Sequence, residues 1–275
     1  MLGTALNSVL PSAGFKNTPI DIDDVDITDR EAVLHAVKIL HPNVIINAAA
    51  VTNVDGCEGE LKEKAFAVNG AGAGNVAAAA ESIGALTVHI STDFVFDGWK
   101  GTPYTETDRP NPQSVYANSK LAGERAVAAE TARYFIVRTA WMYGPGGRNF
   151  VDTIARLAQD REELSVVDDQ TGCPTYTIHL AAALASMIRK HLERNMGRPG
   201  VYHVTGAGYC TWCEFARKIV EHRPGKVKKV NAVTAAEYGL PAPRPAWSVL
   251  SNEKVKKTFG VALPHWEDAL AEYLA

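Results

Sequence analysis

Val44-Ile45-Ile46-Asn47-Ala48-Ala49-Ala50 is a continuous apolar run that ends in small residues. Such a run suits a strand buried on both faces, as the strands of parallel sheets are. Leu86-Thr87-Val88-His89-Ile90 is a second run of this kind, and it ends at Ser91-Thr92-Asp93. Each run ends in small or polar residues, which would let a flat ligand approach the backbone there. The two runs therefore indicate both a parallel sheet and a ligand-binding cleft at the ends of its strands.

Helical segments alternate with the apolar runs. Asp26-Ile27-Thr28-Asp29 predicts the cap of a helix over Arg30 to Leu40, and residues 58–83 have helical character. Tyr134 to Arg138 predicts another strand, and a short strand is expected around Pro19 to Ile22. This alternation predicts an α/β fold with a doubly wound parallel sheet. Ligands of such sheets bind beyond the carboxyl ends of the strands.

The pattern changes after Tyr143, where shorter predicted elements and turn-rich segments begin. We therefore expect a dinucleotide-binding domain over residues 1–145 and a smaller substrate-binding α/β region over residues 146–275. The two regions are expected to be interleaved, because a helix over residues 178–192 could complete the first domain.

Composition narrows the class of protein. The 275 residues are 46% apolar and 21% charged, as in ordinary globular proteins. A net charge of −3 with no basic run argues against nucleic acid as a partner. The longest small-apolar run, Val76 to Ala80, is far too short to span a membrane, and no signal peptide is recognisable. A cytoplasmic location is therefore expected.

Cys210-Thr211-Trp212-Cys213 is a CxxC motif that could suggest redox or zinc chemistry. No second CxxC exists to complete a zinc site, so no metal is expected. Thr211 and Glu214 instead form a T-x-x-E capping box at the start of a helix. We favour this structural role for the motif, with the cysteines as free thiols.

Tyr116-Ala117-Asn118-Ser119-Lys120 carries the chemistry. Residues four apart share one face of a helix, and this helix is expected to continue to about Glu130. A nearby ammonium would lower the pKa of a phenol, so the pair could exchange a proton with an alkoxide or alcohol. Alone, the spacing is common on surface helices; its position after the strand-end Thr92 is what favours a catalytic role.

Together these residues resemble the extended short-chain dehydrogenase/reductases. Thr92 and Tyr116-x-x-x-Lys120 match the catalytic triad of that family. Flanking fragments resemble the dTDP-4-dehydrorhamnose reductase family more specifically. They are Asn47-Ala-Ala-Ala-Val-Thr-Asn-Val-Asp55, Ser91-Thr-Asp-Phe-Val-Phe-Asp-Gly98, Tyr116-x-x-x-Lys-Leu-Ala-Gly-Glu124, Arg138-Thr-Ala-Trp-Met-Tyr143, Asp169-Gln-x-Gly-x-Pro-Thr175 and Arg244-Pro-x-x-Ser248. The resemblance extends from residue 1 to about residue 270.

The resemblance implies a role for each matching residue. Tyr116 would give a proton to O4 of a 4-keto sugar, Lys120 would hold the nicotinamide ribose and lower the Tyr116 pKa, and Thr92 would hydrogen-bond the ketone. Cofactor contacts would come from Met1, Leu2, Gly3, Asp26, Ile27, Ala48, Ala49, Ala50, Val51 and Thr52, besides Tyr116 and Lys120. Substrate contacts would come from Asp93, Trp141, Val54, Asp55 and Arg244, besides Thr92. Arg244 would bind the diphosphate. Core packing for Trp141 and a surface charge for Arg244 remain open alternatives.

One departure from the family pattern lies at the amino terminus. The family begins with a buried strand and a Gly-x-x-Gly-x-x-Gly turn that cradles a pyrophosphate. Met1-Leu2-Gly3 matches only the end of that turn. We therefore expect a Rossmann-like sheet that is truncated at its amino terminus, with open strand edges. Either the start is assigned at an internal methionine, which we favour, or the chain is short and binds cofactor poorly.

The activity implied by the resemblance is NAD(P)H-dependent reduction of dTDP-4-dehydro-L-rhamnose to dTDP-L-rhamnose. Asp21, Asp23 and Asp24 would disfavour a 2′-phosphate, which leans the choice towards NADH or dual use over NADPH alone. Two alternatives stay open: another nucleotide-sugar 4-reductase or epimerase, and a non-catalytic subunit resembling the β subunit of methionine adenosyltransferase. A homodimer is also left open, because no sequence feature fixes the oligomeric state.

Overall fold

The structure, a computed structural model, describes residues 1–275. Ten strands follow one another along the chain: β1 Val44–Asn47, β2 Leu86–Thr92, β3 Tyr134–Thr139, β4 Met142–Tyr143, β5 Glu163–Val167, β6 Thr171–Gly172, β7 Thr175–Tyr176, β8 Gly200–His203, β9 Cys210–Thr211 and β10 Lys229–Val233. Twelve α-helices accompany them: α1 Leu2–Ser12, α2 Arg30–Leu40, α3 Val54–Cys57, α4 Lys62–Ala65, α5 Ala73–Ser82, α6 Val115–Glu130, α7 Phe150–Asp160, α8 Thr177–Arg194, α9 Trp212–His222, α10 Ala235–Tyr238, α11 Glu253–Phe259 and α12 Trp266–Leu274.

Four parallel strands form the main sheet in the order β1-β2-β3-β8. Asn47 pairs with His89, and Thr92 pairs with Thr139, so the carboxyl ends of three strands lie along one edge. Helices separate the strands in sequence, which confirms the predicted α/β fold with a parallel sheet. The same edge is where ligands of such sheets bind.

The first strand differs from its prediction. Val44, Ile45 and Ile46 are only half-buried, because β1 pairs with β2 on one side and lies at the edge of the sheet. The strand expected at Pro19–Ile22 is wrong: this segment forms no strand, and Ile20 and Ile22 are exposed. An extended segment without a partner strand cannot satisfy its backbone hydrogen bonds within the protein, so it stays irregular.

Two of the apolar clusters in the chain are much larger than the others. The larger contains 22 buried residues and joins α1, α8 and α11 to the main sheet. The smaller contains 13 buried residues, drawn largely from α7, β5, α9 and α12. α8 packs on α1 and β8 joins the main sheet, so segments from the second half of the chain complete the first core. β5 also pairs in parallel with β10, a strand that the sequence pattern did not predict.

The helix expected over residues 58–83 is interrupted. A π-helix, Phe66–Gly72, lies between α4 and α5 and contains the buried Asn69. A π-turn widens the helix locally and is often found at functional sites. A β-carbon at Gly123 of α6 would collide with the Asn69 carbonyl oxygen, so glycine allows the two helices to approach here. None of the helices is long and apolar enough to cross a membrane.

Candidate active site

Strand β2 and helix α6 bring the predicted triad to the carboxyl edge of the sheet. Thr92 is the last residue of β2, and Tyr116 and Lys120 occupy the first two turns of α6. Ser114 caps α6 by accepting a hydrogen bond from Ala117 N at 3.2 Å. This cap fixes where the helix begins and hence which face carries Tyr116.

Tyr116 is a half-buried phenol whose ring meets Phe94 edge-on, with the centroids 6.1 Å apart. Burial raises the pKa of Tyr116 well above its usual value, although the nearby Thr92 hydroxyl opposes the shift. Nearby Asp93 and Cys57 raise this pKa further. The phenol is therefore protonated at neutral pH, which suits a proton donor rather than a base.

Lys120 is 3% exposed, and its Nζ donates to the Ile90 carbonyl oxygen at 2.6 Å. Burial lowers the pKa of Lys120 to about 8, while Glu124 acts in the opposite direction. An ammonium has three N–H donors, so two are left for a ligand. Burial is the main influence on the pKa of Tyr116, and the lowering of this pKa by Lys120 stays a prediction.

A buried ion pair between Glu124 and Arg138 joins α6 to β3, and the sequence did not predict it. Arg138 of β3 donates to both oxygens of Glu124 at 2.8 and 2.6 Å, and Ser91 donates to Glu124 at 2.6 Å. Both charged side chains are almost completely buried. Removing one partner of such a pair destabilises a protein strongly, because an uncompensated charge remains in the interior.

Asp93 follows Thr92 and is only 2% exposed. Its Oδ1 lies 3.0 Å from Thr92 Oγ1, and its buried Oδ2 has no hydrogen-bond partner. Burial raises the pKa of Asp93 to about 7, although the nearby Ser248 and Thr92 hydroxyls oppose the shift. A carboxyl with this pKa can be present as the acid near neutral pH.

The segment Ala48–Thr52 follows β1 and is held by Asn69, a residue that the sequence did not single out. Val51 N donates to Asn69 Oδ1 at 2.8 Å, and Asn69 Nδ2 donates to Val51 O at 3.0 Å and to Ser119 Oγ at 2.9 Å. Ser119 in turn donates to the Tyr116 carbonyl at 2.7 Å. Asn69 thus connects the segment predicted for the cofactor to the helix that carries Tyr116.

Several groups along this edge fit a nicotinamide dinucleotide. Buried polar atoms without partners, Asn47 Nδ2 and Thr139 Oγ1, belong to the last residues of β1 and β3. Met1, Leu2 and Gly3 lie at the amino terminus of α1, where the first backbone N–H groups have no partner within the helix. Such a terminus suits a phosphate. This set of donors therefore fits such a cofactor.

Asp26 and Ile27 lie apart from the strand ends, on the exposed loop before α2. Asn75 Nδ2 donates to the Ile27 carbonyl at 3.0 Å, and Asp26 Oδ1 accepts from Thr28 N at 2.8 Å. Asp29 caps α2 by accepting from Glu31 N and Ala32 N, as the sequence predicted. The loop is thus fixed next to α5 and is available to the adenine end of a cofactor.

Trp141 and Trp212 stack face to face, with ring centroids 3.5 Å apart and planes inclined by 6°. Trp141 has a φ of 45°, a left-handed backbone conformation that is uncommon for a residue with a side chain. Gly172 lies against its indole, where a β-carbon would overlap the ring. Trp212 therefore packs on the residue that is predicted to form the sugar wall, although the sequence suggested only a helix-start role. The Thr211–Glu214 capping box beside it is confirmed.

Asp55 and Arg244 form an ion pair that the sequence did not predict. Arg244 donates to both Asp55 oxygens at 3.1 and 2.8 Å and to the Ala242 carbonyl at 2.9 Å. The pair joins α3, which begins at Val54, to the proline-rich segment 241–245. Arg244 keeps further N–H groups for a ligand, and it holds the pKa of the Asp55 carboxyl below its usual value.

A parallel sheet with a Tyr-x-x-x-Lys helix beside a strand-end threonine defines an extended short-chain dehydrogenase/reductase, a class of nicotinamide-dependent oxidoreductases. Comparison with known proteins narrows the class. The family model described as the RmlD substrate binding domain matches residues 1–275, and the chain belongs to this family.

Named relatives agree with this membership. The dTDP-4-dehydrorhamnose reductase of Escherichia coli is 40% identical over 88% of this chain and 82% of its own. The crystal structure of a dTDP-4-dehydrorhamnose reductase from Clostridium acetobutylicum matches with a TM-score of 0.93 and 42% identity, covering 99% of this chain and 94% of that one. The Bacillus anthracis enzyme, solved in complex with NADP, matches with a TM-score of 0.91 and 40% identity over the same shares.

Proposed function

We propose that this protein reduces the 4-keto group of dTDP-4-dehydro-L-rhamnose with NAD(P)H and yields dTDP-L-rhamnose. The observation that carries the proposal is the Tyr116 phenol, kept protonated beside Thr92 at the carboxyl edge of the sheet. Family membership and the printed names of relatives that are about 40% identical support the choice of substrate.

The reaction adds a hydride and a proton across a carbonyl, and a bound nicotinamide supplies the hydride. Thr92 donates a hydrogen bond to the ketone oxygen and orients it towards Tyr116. Tyr116 transfers its proton to that oxygen as negative charge develops there. Lys120 holds the nicotinamide ribose with its two free N–H donors, and its positive charge stabilises the resulting tyrosinate.

The remaining site residues are assigned to binding. The cofactor is contacted by three segments. Met1 to Gly3 contact its pyrophosphate, Asp26–Ile27 contact its adenine end, and Ala48–Thr52 pack along its central part. Trp141 forms the wall against the sugar, and Asp93 lies beside its reacting end. Val54, Asp55 and Arg244 face the nucleotide diphosphate, where the Arg244 guanidinium binds phosphate oxygens.

The choice of cofactor is proposed as NADPH or NADH. The relative from Bacillus anthracis was solved with NADP, which supports NADPH. Asp21, Asp23 and Asp24 are exposed next to the Asp26 loop and would repel a 2′-phosphate, which supports NADH. A direct comparison of the two cofactors under the same conditions decides between them.

Two accompanying proposals concern where and how the protein works. All four cysteines are free thiols, which supports a reducing compartment such as the cytoplasm. A homodimer stays a prediction that light scattering after size-exclusion chromatography would test.

Cofactor oxidation by the purified protein, measured with a panel of nucleotide 4-keto sugars, tests the function. We expect turnover with dTDP-4-dehydro-L-rhamnose and a loss of roughly 10²- to 10⁴-fold in kcat for Tyr116→Phe, the range of general-acid catalysis. Cofactor affinity of this variant, measured by fluorescence, should stay close to that of the parent. An equal rate for Tyr116→Phe would refute the mechanism, and turnover of a different sugar would replace the substrate. No turnover with any sugar would favour a non-catalytic subunit.

A further inference from the structure

A small cavity lies at Arg244, between β5, α10 and the proline-rich segment 241–245. Its volume is about 300 Å³, at the lower end of the range for ligand-binding pockets. Its walls are mainly apolar, and Val167, Tyr238 and Leu240 contribute large side chains to them. Gln170 and Arg244 are the polar side chains that line it, besides the Tyr238 hydroxyl. A cavity of this composition suits a flat ring that carries a few polar atoms.

Gln170 is a buried amide without a partner. The residue is only 7% exposed, and its side chain makes no hydrogen bond within the chain. The amide atoms are not fully enclosed, and the open space that this residue lines is the cavity. An amide has an acceptor oxygen and two N–H donors, and leaving such groups unpaired away from bulk water is costly. A ligand with a donor next to an acceptor would satisfy them.

The residues on both sides of Gln170 are fixed by hydrogen bonds. The Asp169 carboxylate accepts from Ala235 N at 2.9 and 3.1 Å, which ties the start of α10 to the residue before Gln170. Thr171 N donates to the Ala246 carbonyl oxygen at 2.8 Å on the other side. The Gln170 amide therefore extends towards the cavity from a backbone that is already fixed, as a preformed recognition site requires.

Two large apolar side chains at the cavity are left exposed. Tyr238 is 50% exposed and Leu240 is 44% exposed. Tyr238 ends α10, a short helix that begins at the Thr234–Glu237 capping box and ends at Gly239 in a left-handed conformation. Exposed apolar surface around a cavity is typical of a site that a ligand covers. Aromatic side chains in particular stack on nucleic-acid bases.

The cavity adjoins both subsites that are proposed for the rest of the substrate. Arg244 lines it and is the proposed partner of the diphosphate, through N–H groups that Asp55 does not use. Gly172 follows Gln170 by two residues and lies against the indole of Trp141, the proposed sugar wall. In a nucleotide-sugar, the diphosphate joins the sugar to the nucleoside. The cavity is therefore close enough to both subsites to receive the nucleoside.

We propose that this cavity binds the pyrimidine base of the nucleotide-sugar and that Gln170 recognises the base. Thymine has an N3–H group between two carbonyl oxygens. N3–H can donate to Gln170 Oε1 while Gln170 Nε2 donates to one of the carbonyls, and the ring then packs against Tyr238 and Leu240. A fused purine is larger than this small cavity accommodates without moving its walls. The inference rests on the proposed function and adds a specificity-determining residue to it.

A series of ligands tests the base pairing by isothermal titration calorimetry. The full chain is saturated with NADPH, so that an adenine nucleotide cannot occupy the cofactor site. We expect dTDP to bind roughly 10-fold or more tightly than N3-methyl-dTDP, whose N3 cannot donate a hydrogen bond, and than dADP. Equal affinities for dTDP and N3-methyl-dTDP would overturn the pairing with Gln170. Equal affinities for dTDP and dADP would overturn the assignment to a pyrimidine.

Variants test the residues, with inorganic pyrophosphate as a probe that has no base. Gln170→Met keeps the length of the side chain, and it should weaken dTDP binding roughly 10-fold while leaving the affinity for pyrophosphate unchanged. The same variant should bind dTDP and N3-methyl-dTDP equally. Tyr238→Ala, at an exposed position, should also weaken dTDP alone. Arg244→Met should weaken both ligands. Gln159→Met, at an exposed position on α7, is the matched control and should weaken neither.

The outcomes separate the base pocket from the proposed reduction, because none of these titrations requires turnover. Unchanged dTDP affinity in Gln170→Met overturns the pocket, and so does an equal loss of dTDP and pyrophosphate affinity in that variant. A protein that reduces the nucleotide-sugar but gives either result refutes the pocket alone. A protein that binds dTDP in the expected pattern but reduces no 4-keto sugar refutes the reduction alone.

Discussion

The two ends of the candidate cleft are built differently. At the reacting end, Thr92, Asp93 and Lys120 are buried, and their positions follow from where β2 ends and α6 begins. At the sugar-nucleotide end, Trp141 and Arg244 are only partly buried and are held by residues distant in sequence. The first end depends on local structure, and the second on contacts between segments that meet only in the folded chain.

The difference implies different roles for charge. Lys120 is desolvated in the interior, so burial disfavours its charged form. We expect this charge to act on the reacting groups. Arg244 is partly solvated and neutralised by Asp55, so it adds little to folding and is available for binding. Substitutions at the reacting end should therefore change kcat, and those at the far end should change KM.

Apart from Tyr116, the largest effect is expected at Lys120. Lys120→Met should lower kcat/KM by roughly 10²-fold or more, because the ribose contact and the charge beside the tyrosinate are both lost. Stability should not fall, since an apolar side chain replaces a buried ammonium and Glu124 keeps its bonds to Arg138 and Ser91. Steady-state kinetics and urea unfolding measure the two quantities. Lys38→Met, at an exposed position on α2, serves as the control. A similar loss of kcat/KM in this control would remove the distinction between the two ends. A parent-like rate for Lys120→Met would also remove it.

The sequence predicted the reacting end because its signals are local. The strand β2 is indicated by an apolar run that ends in Ser91-Thr92-Asp93, and the helix α6 by Tyr116 and Lys120 four residues apart. Both signals point to the same edge of the sheet. Asn69 could not be found in this way, because a π-turn carries no apolar periodicity and the residue acts through Val51. The strand at Pro19–Ile22 failed because β propensity cannot show that a partner strand is absent.

The far end escaped prediction for a different reason. Asp55 and Arg244 were each assigned to the nucleotide-sugar, but their ion pair joins residues 189 positions apart and no spacing rule connects them. Trp212 was placed at a helix start, yet its stacking partner Trp141 lies on another segment. Pairings of this type depend on how whole elements pack, which a single sequence does not encode in any local pattern.

A smaller effect, confined to KM, is expected at the ion pair. Arg244→Met should raise KM for the nucleotide-sugar roughly 10- to 100-fold at nearly constant kcat, because a hydrogen bond to a charged group contributes about 1.5–3 kcal/mol. Asp55→Asn keeps the guanidinium but loosens its orientation, so we expect a rise of only a few-fold. Initial rates across substrate concentrations give both constants, with the exposed Arg161→Met as the matched control. Loss of kcat without a change in KM would show that Arg244 acts on the reacting end.

The smallest effect tests whether Trp212 acts through Trp141. Stacked aromatic pairs contribute about 0.5–1.5 kcal/mol beyond burial, so Trp212→Leu should raise KM about 2- to 12-fold, and Trp212→Phe should restore most of the loss. If Trp212 only positions Trp141, the double variant with Trp141→Leu should be no worse than Trp141→Leu alone. Additive losses would mean that Trp212 contacts the substrate itself. Trp99→Leu, which alters an indole that is 76% exposed, controls for general effects of losing a tryptophan. Because Trp141 has an unfavourable backbone conformation, the stack also stabilises a geometry that an isolated loop would not adopt.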